Sequence, residues 1–370
     1  MILKKIKLKN FRLHKNSSLN FSDSLNYIIG GNGEGKTTIL EAVYYLSTTK
    51  SLITNTDSEA LKFGENEFEI SGHFEDKVKD KVRIYFNKEV DKKSIFLNNK
   101  QVYRSSSVIG KFPVVKLTQS DHYITLGSPS ERRRFVDSVI SQSNSTYLNI
   151  LLDYNKTLRQ RSSLLSKMRE NPGLNFDNQL DSWTENLILL GSELVSRRIE
   201  FVSEFNSFIS ESYKRVMRDK EVPLIRYSFL GTEKPSEVKD AFSEEIYKRR
   251  NEELRRARNL IGPHRDDFIF ELNDRELKKY GSQGQHKTFQ IALRFGEFFY
   301  LKNKVNKSPV FLMDDIFGEL DSYRSEKISE YLRDIGQAFI TMTDFNDYQK
   351  LMHEKNDLVI KVESGNCVYA

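Results

Sequence analysis

Two groups of residues in this 370-residue chain have the types and spacing for phosphate chemistry. The first, Gly30-Gly31-Asn32-Gly33-Glu34-Gly35-Lys36-Thr37, followed by Thr38, fills the pattern G-x-x-x-x-G-K-[ST]. Its glycines let successive backbone N–H groups turn inward on a polyphosphate. Lys36 adds a point charge at the β and γ phosphates, and the Thr37 hydroxyl can ligate Mg²⁺. In the second, the apolar run Val310-Phe311-Leu312-Met313 ends in two carboxylates, Asp314 and Asp315. Asp314 is placed to hold the Mg²⁺ shell of a triphosphate, and Asp315 to orient or deprotonate an attacking water. A third element, Ser282-Gln283-Gly284-Gln285, precedes an apolar-periodic run. It offers an anion a hydroxyl, backbone donors and the positive end of a helix, although the same residues also make an ordinary polar N-cap. A bound nucleoside triphosphate, with Mg²⁺, is the expectation.

Such groups must be positioned by strands and helix ends. Leu25-Asn26-Tyr27-Ile28-Ile29 reads as a short buried strand before the glycine loop, and Thr38 to Leu46 as the helix after it. From Met1 to about Thr125 strand patterns dominate: Ile2 to Lys9, Phe68 to Phe74, Val82 to Phe86 and Ser94 to Leu97. Asn98-Asn99-Lys100 signals a hairpin turn, with Gln101-Val102-Tyr103 returning. From about Glu131 to Asn259 the period becomes helical. One helix runs roughly from Ser145 to Arg169. After the breaker Asn171-Pro172-Gly173, a long one carries Leu180, Trp183, Leu187, Leu190 and Leu194 and continues through Phe201, Phe205, Phe208 and Val216. These two are expected to fold back as an antiparallel pair. A third helix, about Val238 to Asn259, is dense in charge, with Glu244–Lys248 and Glu252–Arg256 at i,i+4 spacing. Strands return after Leu260, with a helix from His286 to about Lys302 and a second strand within 337–344.

Composition narrows the class. Apolar residues at 38% and aromatics at 12% suffice for a core. Lys and Arg outnumber Asp and Glu by 58 to 52, a net charge of +6 that favours a polyanionic partner. The single cysteine, Cys367, excludes a disulfide framework and a Cys-based metal site, and fits a reducing cytoplasm. The N-terminus alternates apolar and basic residues without a signal-peptide core, and no run approaches the roughly 18 apolar residues of a membrane span. A cytoplasmic protein that does not engage membranes is expected.

The order of parts is that of ATP-binding-cassette ATPases of the chromosome-maintenance type: phosphate loop, long helical insertion, Ser-x-Gly-Gln, carboxylate-ended strand, then Glu319-Leu320-Asp321. Within that class the chain resembles the RecF family over nearly its whole length. Four segments carry the resemblance: Asn10-Phe11-Arg12, the phosphate loop, Gly127-Ser128-Pro129-Ser130-Glu131-Arg132-Arg133-Arg134-Phe135-Val136-Asp137, and Leu260-Ile261-Gly262-Pro263-His264-Arg265-Asp266-Asp267. The resemblance implies an α/β fold, with a cassette-ATPase-like head of mixed sheets and helices formed by residues 1–125 plus 260–370. A helical lobe, 126–259, is inserted in it. It also implies ATP and Mg²⁺ as cofactors, ATP-driven homodimerisation, and ATP-dependent binding of duplex or gapped DNA. Partnership with RecR and RecO in placing RecA on gapped DNA, and weak DNA-stimulated ATP hydrolysis, follow from the same likeness. Residue by residue, it implies that Arg12 joins the loop in binding ATP and that Gln119 contacts Mg²⁺. It assigns Ser282, Gln283, Gly284 and Gln285 to the partner's γ-phosphate in trans, and Glu319, Leu320 and Asp321 to the loop that follows the catalytic strand.

Two departures from the wider class point to slow hydrolysis. Asp315 stands where most cassette ATPases carry Glu, one methylene longer, and the switch histidine is replaced by Thr341-Met342-Thr343-Asp344. Of the consecutive arginines Arg132, Arg133 and Arg134, at least one is expected to pair with Glu131 or Asp137. His264 and Arg265, beside Asp266 and Asp267, suggest a packed polar network bridging the lobes. The alternatives are a nucleotide-binding subunit of a membrane transporter and the ATPase subunit of a defence system. The family-specific segments argue against the first, and the lack of an appended nuclease-like domain against the second.

Overall fold

The computed structural model describes residues 1–370 except 55, 172, 218–220, 344–347, 349–350 and 352–353. The helix-breaker residue Pro172 and the switch-segment residue Asp344 therefore lie outside the described residues.

The chain divides into two compact units, one of residues 1–121, 211–219 and 290–370, the other of 122–210 and 220–289. The first unit contains two six-stranded sheets. One is antiparallel, with strands in the order His14–Asn20, Ile2–Phe11, Glu67–Glu75, Lys79–Asn87, Lys92–Leu97, Lys100–Val102. Its strands alternate: Leu3, Ile6 and Leu8 are buried while Lys7 and Lys9 face water, as a sheet with one solvated face requires. Asn98 and Asn99, at φ 51° and 65°, turn the last hairpin with the left-handed geometry that asparagine tolerates.

The other sheet runs Asn366–Tyr369, Leu358–Glu363, Leu25–Ile29, Ala338–Met342, Val310–Asp314, Val114–Thr118. It is parallel except for the edge strand Asn366–Tyr369. Leu25–Ile29 and Ala338–Met342 are buried throughout, which explains why they read as mostly apolar runs, broken only by Asn26 and Thr341, rather than as alternation. The helix Lys36–Thr48 lies between the two sheets. Its Ile39, Leu40, Val43 and Leu46 share one core with Leu3, Ile6 and Phe68 of the antiparallel sheet and Ile28, Leu312 and Phe339 of the parallel one.

In the second unit the helices Ser145–Glu170 and Asp177–Val216, the latter continuing into the first unit, form the expected antiparallel pair. Thr157 contacts Asn186 at 2.9 Å, Arg161 contacts Thr184 at 2.9 Å, and Leu165 packs with Leu180, so positions descend on one helix as they rise on the other. The charged run forms two helices, Pro235–Lys248 and Arg250–Arg256, ended by Ala257 in a left-handed conformation at φ 49°. Glu252–Arg256 pairs as the spacing predicts, at 2.7 Å, whereas Lys248 turns to Glu245 rather than Glu244.

The boundary at residue 260 needs correction. Residues 260–289 belong to the helical unit because Phe268–Leu272 pairs with Pro223–Tyr227 in a three-stranded sheet completed by Arg275–Glu276. The helix expected from His286 starts a turn earlier and spans Gln283–Val305.

Candidate functional site

The parallel sheet sets the geometry. Four neighbouring strands end side by side: Thr118 pairs with Asp314, Asp314 with Thr341, and Met342 with Ile29, one residue before the glycine loop. Ligands of α/β sheets sit outside these carboxyl ends. The glycine loop leaves Ile29 and enters the helix at Lys36. Gly30 must lack a side chain because a Cβ there would lie 2.3 Å from the Val362 carbonyl oxygen. Gly35 holds φ 104°, which leads the last loop residue into the helix.

Lys36 is buried and donates to the Gly30 and Gly31 carbonyls at 2.8 and 2.7 Å. An ammonium has three donors, so one remains for a phosphate oxygen. Burial pulls its pKa below the ordinary lysine value, while Asp315, Asp314 and Glu34 work in the opposite direction. The Thr37 hydroxyl donates to Asp314 Oδ1 at 2.9 Å, joining the loop to the strand-end carboxylate across 277 residues of sequence.

Thr341, fully buried, donates to the same Asp314 oxygen at 2.7 Å and accepts from the Asp315 backbone N–H at 2.9 Å. One hydroxyl thereby orients both acidic residues. Asp315 is held at φ 51°, and its carboxylate accepts from Thr343 at 3.4 Å. The sequence marked 341–344 only as the place of a missing histidine. The signal available was two threonines two residues apart, Thr341 in the strand and Thr343 just past its end, both reaching the carboxylates.

Three contacts secure the loop. The ring of buried His14 meets the Gly35 carbonyl at 3.3 Å through Nε2 and Ser17 at 2.9 Å through Nδ1, and burial pulls its pKa down. Glu34 is clasped by the last hairpin: its carboxylate accepts from the Ser364 N–H and its carbonyl from the Gly365 N–H at 2.9 Å. Arg12 holds φ 50° and makes a two-pronged pair with Glu41, both bonds at 2.9 Å. Its third nitrogen donates to the Glu59 carbonyl at 2.6 Å. Glu41 is fully buried on the helix that follows the loop, so Arg12 here braces that helix. None of these three anchors was assigned that role from sequence.

Gln119 is exposed on the short turn Gln119–Asp121 after Val114–Thr118. Its neighbour Asp121 is buried and receives Arg294 through two bonds, at 2.9 and 2.7 Å, while Arg294 also meets Glu297 at 2.7 Å. This buried trio fixes the turn that carries Gln119. Glu319 ends the Phe317–Glu319 turn, and Leu320 and Asp321 follow it. Asp321 caps the helix Ser322–Arg333, accepting from the Arg324 N–H at 2.9 Å, a bond that also holds its carboxyl below the usual range.

In the second unit, Ser282 and Gln285 form a reciprocal capping box. Gln285 N–H donates to Ser282 Oγ at 3.2 Å, and Ser282 N–H to Gln285 Oε1 at 2.8 Å. Gln285 Nε2 also donates to Glu221 at 2.7 Å. The structure shows the polar N-cap; Ser282 Oγ accepts in it, and the cap leaves the hydroxyl's own O–H as a donor. Ser282 and Gln283 are exposed and Gly284 is half-buried.

The segments 127–137 and 260–267, two of the four that carry the resemblance, meet inside this unit. Arg132 grips Asp267 with two bonds, at 2.8 and 2.7 Å, Arg133 donates to the Asp266 carbonyl, and Arg134 pairs with Glu131 at 3.0 Å. Asp137 is taken by Arg198, which is 2% exposed and also binds Asp266 at 2.9 Å. His264 Nδ1 meets the Tyr154 hydroxyl at 2.8 Å, and Nε2 the Asn259 carbonyl at 3.4 Å. The network expected to bridge the lobes instead lies wholly within the helical unit, because residues 260–267 fold into it.

The residues fit a Mg²⁺-nucleotide. Among the described residues no group of three or more His, Cys, Asp or Glu gathers to hold a metal. A hard cation at the glycine loop would thus rest on Thr37, Asp314 and oxygens of the nucleotide, the usual sparing protein ligation of Mg²⁺. No helix among the described residues is long and apolar enough to cross a membrane.

The model of the RecF/RecN/SMC N-terminal domain matches residues 2–366. The chain is 38% identical to the DNA replication and repair protein RecF of Chloroherpeton thalassium, over 95% of this chain and 97% of that one. It is 37% identical to that of Salinibacter ruber, over 93% and 85%. Among solved structures, the recombination mediator protein RecF bound to ATPrS in the RecFOR pathway superposes with a TM-score of 0.91 at 29% identity, covering 100% of this chain and 98% of the other. The RecF–ATP structure gives 0.90 at 28%, covering 100% and 97%. An Smc head gives 0.57 at 14% identity, covering 100% and 97%, a likeness of fold alone.

Proposed function

The chain belongs to the RecF family, and on that footing we propose that it is an ATP-dependent DNA-binding protein of recombinational repair and replication. The observation that carries the nucleotide reading is the Thr37–Asp314 hydrogen bond of 2.9 Å, which places the two expected metal ligands together at the sheet edge. Thr37 and Asp314 would hold Mg²⁺, which would neutralise charge building on the transferred phosphate. Lys36 and the N–H groups of Gly31 to Thr38 bind the phosphates. Asp315 orients the attacking water. Gln119, on a braced turn at the same edge, would be a further oxygen donor to that cation.

Two chains close over ATP, each offering the Ser282 segment to the other's γ-phosphate, so that ATP makes the dimer and hydrolysis resets it. The dimer binds duplex DNA next to a gap and, with RecR and RecO, helps place RecA there. The bidentate Arg12–Glu41 pair points to bracing of the loop helix as that arginine's main part. A transporter subunit draws no support from a likeness to RecF chains along the whole sequence.

The test is sedimentation and DNA binding with and without ATP. Lys36→Met should weaken ATP binding, and Ser282→Arg should block closure. A mixture of the two, which leaves one intact composite site, should regain dimerisation above either alone if one site suffices. Ser282→Arg dimerising like wild type would remove the role in trans. Equal DNA affinity with and without ATP would remove the switch.

A further inference from the structure

In the helical unit a cleft of about 600 Å³ is lined by Ser166, Arg169, Arg256, Arg258, Leu260 and Arg265. Most arginines described in this unit are neutralised nearby. Arg132, Arg134, Arg161, Arg197, Arg198, Arg249 and Arg250 each pair with a carboxylate. The cleft departs from that pattern. Of its four guanidiniums only Arg256 has an acid, Glu252 at 2.7 Å. Among the described residues, Arg169 and Arg258 have no side-chain hydrogen bond or ion pair. Arg265 makes one bond, to the Asn259 carbonyl at 3.3 Å.

The fold brings these charges together from three places. Arg169 is in the last turn of Ser145–Glu170, Arg256 and Arg258 flank the left-handed Ala257, and Arg265 follows His264 in a family-specific segment. The ring of His264 is spent on packing, against Tyr154 and Asn259, whereas its neighbour Arg265 is exposed at the cleft. The scaffold beneath is rigid: Arg161, 1% exposed, ties Glu253 at 2.6 Å, Asn259 at 2.6 Å and Thr184 at 2.9 Å into one buried network.

Like charges crowded without acids repel, and an anion that bridges them removes that cost. A planar guanidinium fork fits phosphate oxygens better than a lysine does. The cleft is open, rich in donors and poor in apolar surface, which suits a charged backbone rather than a folded hydrophobic partner.

We propose that this arginine cleft is a seat for the phosphodiester backbone of duplex DNA. The proposal rests on the DNA-binding reading and adds to it a location: Arg169, Arg258 and Arg265 contact phosphates, with Arg256 shared between DNA and Glu252. No base is read.

The test uses the full chain with ATP and a labelled gapped duplex, titrated across salt. Arg169→Ser with Arg258→Ser removes two guanidiniums that make no described intramolecular bond. The slope of log K against log salt should flatten by about 0.9 for each phosphate left without its arginine, and affinity at 0.1 M salt should fall about eightfold per phosphate. The pair Arg169→Lys with Arg258→Lys keeps the charge and should keep the slope, and a matched melting curve with ATP binding shows the fold intact. As control, Lys92→Ser with Lys100→Ser removes the same charge from the other unit. An unchanged slope in the serine pair overturns the cleft, as does an equal loss in the control pair, which would signal net charge rather than a site. Displacement by polyglutamate but not by unlabelled duplex would assign the cleft to an acidic protein and overturn it too. If wild type itself fails to bind the duplex, the DNA-binding reading falls. If wild type binds and the serine pair binds identically, only the cleft falls.

Discussion

Replacing Thr341 by Val tests whether one buried hydroxyl sets the metal site. Valine keeps the β-branched outline of threonine in the Ala338–Met342 strand while deleting the donor to Asp314 Oδ1 at 2.7 Å and the acceptor of the Asp315 N–H at 2.9 Å. A hydrogen bond to a charged group contributes about 1.5–3 kcal/mol. If that is expressed in the orientation of Asp314, the Mg²⁺ dependence of ATP hydrolysis shifts about 10- to 100-fold, the range found when groups behind metal ligands are removed. The orphaned N–H adds a stability cost of about 1–3 kcal/mol. The assay is a Mg²⁺ titration of ATP turnover at saturating nucleotide, paired with thermal unfolding. Thr341→Ser, which restores the hydroxyl, should recover most of the Mg²⁺ response. Wild-type Mg²⁺ dependence in Thr341→Val would refute the reasoning, because Asp314 would then be oriented by Thr37 alone.

Asp315→Asn removes a charge where φ is 51°, a conformation asparagine accepts, so the backbone should hold. Turnover should fall about 100-fold or more while ATP affinity stays near wild type, and wild-type turnover in a single-cycle assay would exclude Asp315 from water activation. Burial pulls the His264 pKa down to about 4 from an ordinary 6.5. The unfolded chain then takes up a proton that the folded one refuses, so stability that is complete above pH 6.5 is lost as pH falls, by about 2 kcal/mol at pH 5 and about 3 kcal/mol at pH 4. Unfolding curves at pH 7.5 and 5 should show this, and a His264→Gln chain with the same acid sensitivity would rule it out. Arg198→Met strands Asp137 and Asp266 together and should cost about 3–5 kcal/mol, read by denaturant unfolding. A loss below 1 kcal/mol would show that the two acids find other partners.

The glycine loop, its strand and its helix were legible because each is a local pattern: a fixed spacing, an apolar run, a helical period. Asp314 and Asp315 were legible for the same reason. What the sequence hid is long-range pairing. Nothing near Glu41 in sequence announces Arg12, nothing near Glu34 announces Ser364, and Arg198 lies 61 residues from Asp137 and 68 from Asp266. Spacing rules favoured near partners, and they did hold for Arg134–Glu131 and Glu252–Arg256. They failed where burial rather than proximity along the chain chose the partner. The boundary at 260 erred similarly, since returning strands do not say which sheet they join.

The strand that launches the glycine loop, Leu25–Ile29, is flanked on both sides by strands made much later, Ala338–Met342 and Leu358–Glu363. During synthesis it must wait for the first of them across the 309 positions from Ile29 to Ala338, roughly 15–60 s at about 5–20 residues per second. The segments of the helical unit all precede residue 290 and so are made in that interval, while Leu25–Ile29, apolar except for Asn26, still lacks both neighbouring strands. That is a sticky edge exposed at the moment of greatest crowding. The sheet edge that carries the glycine loop is therefore completed late, by strands delivered near the end of synthesis.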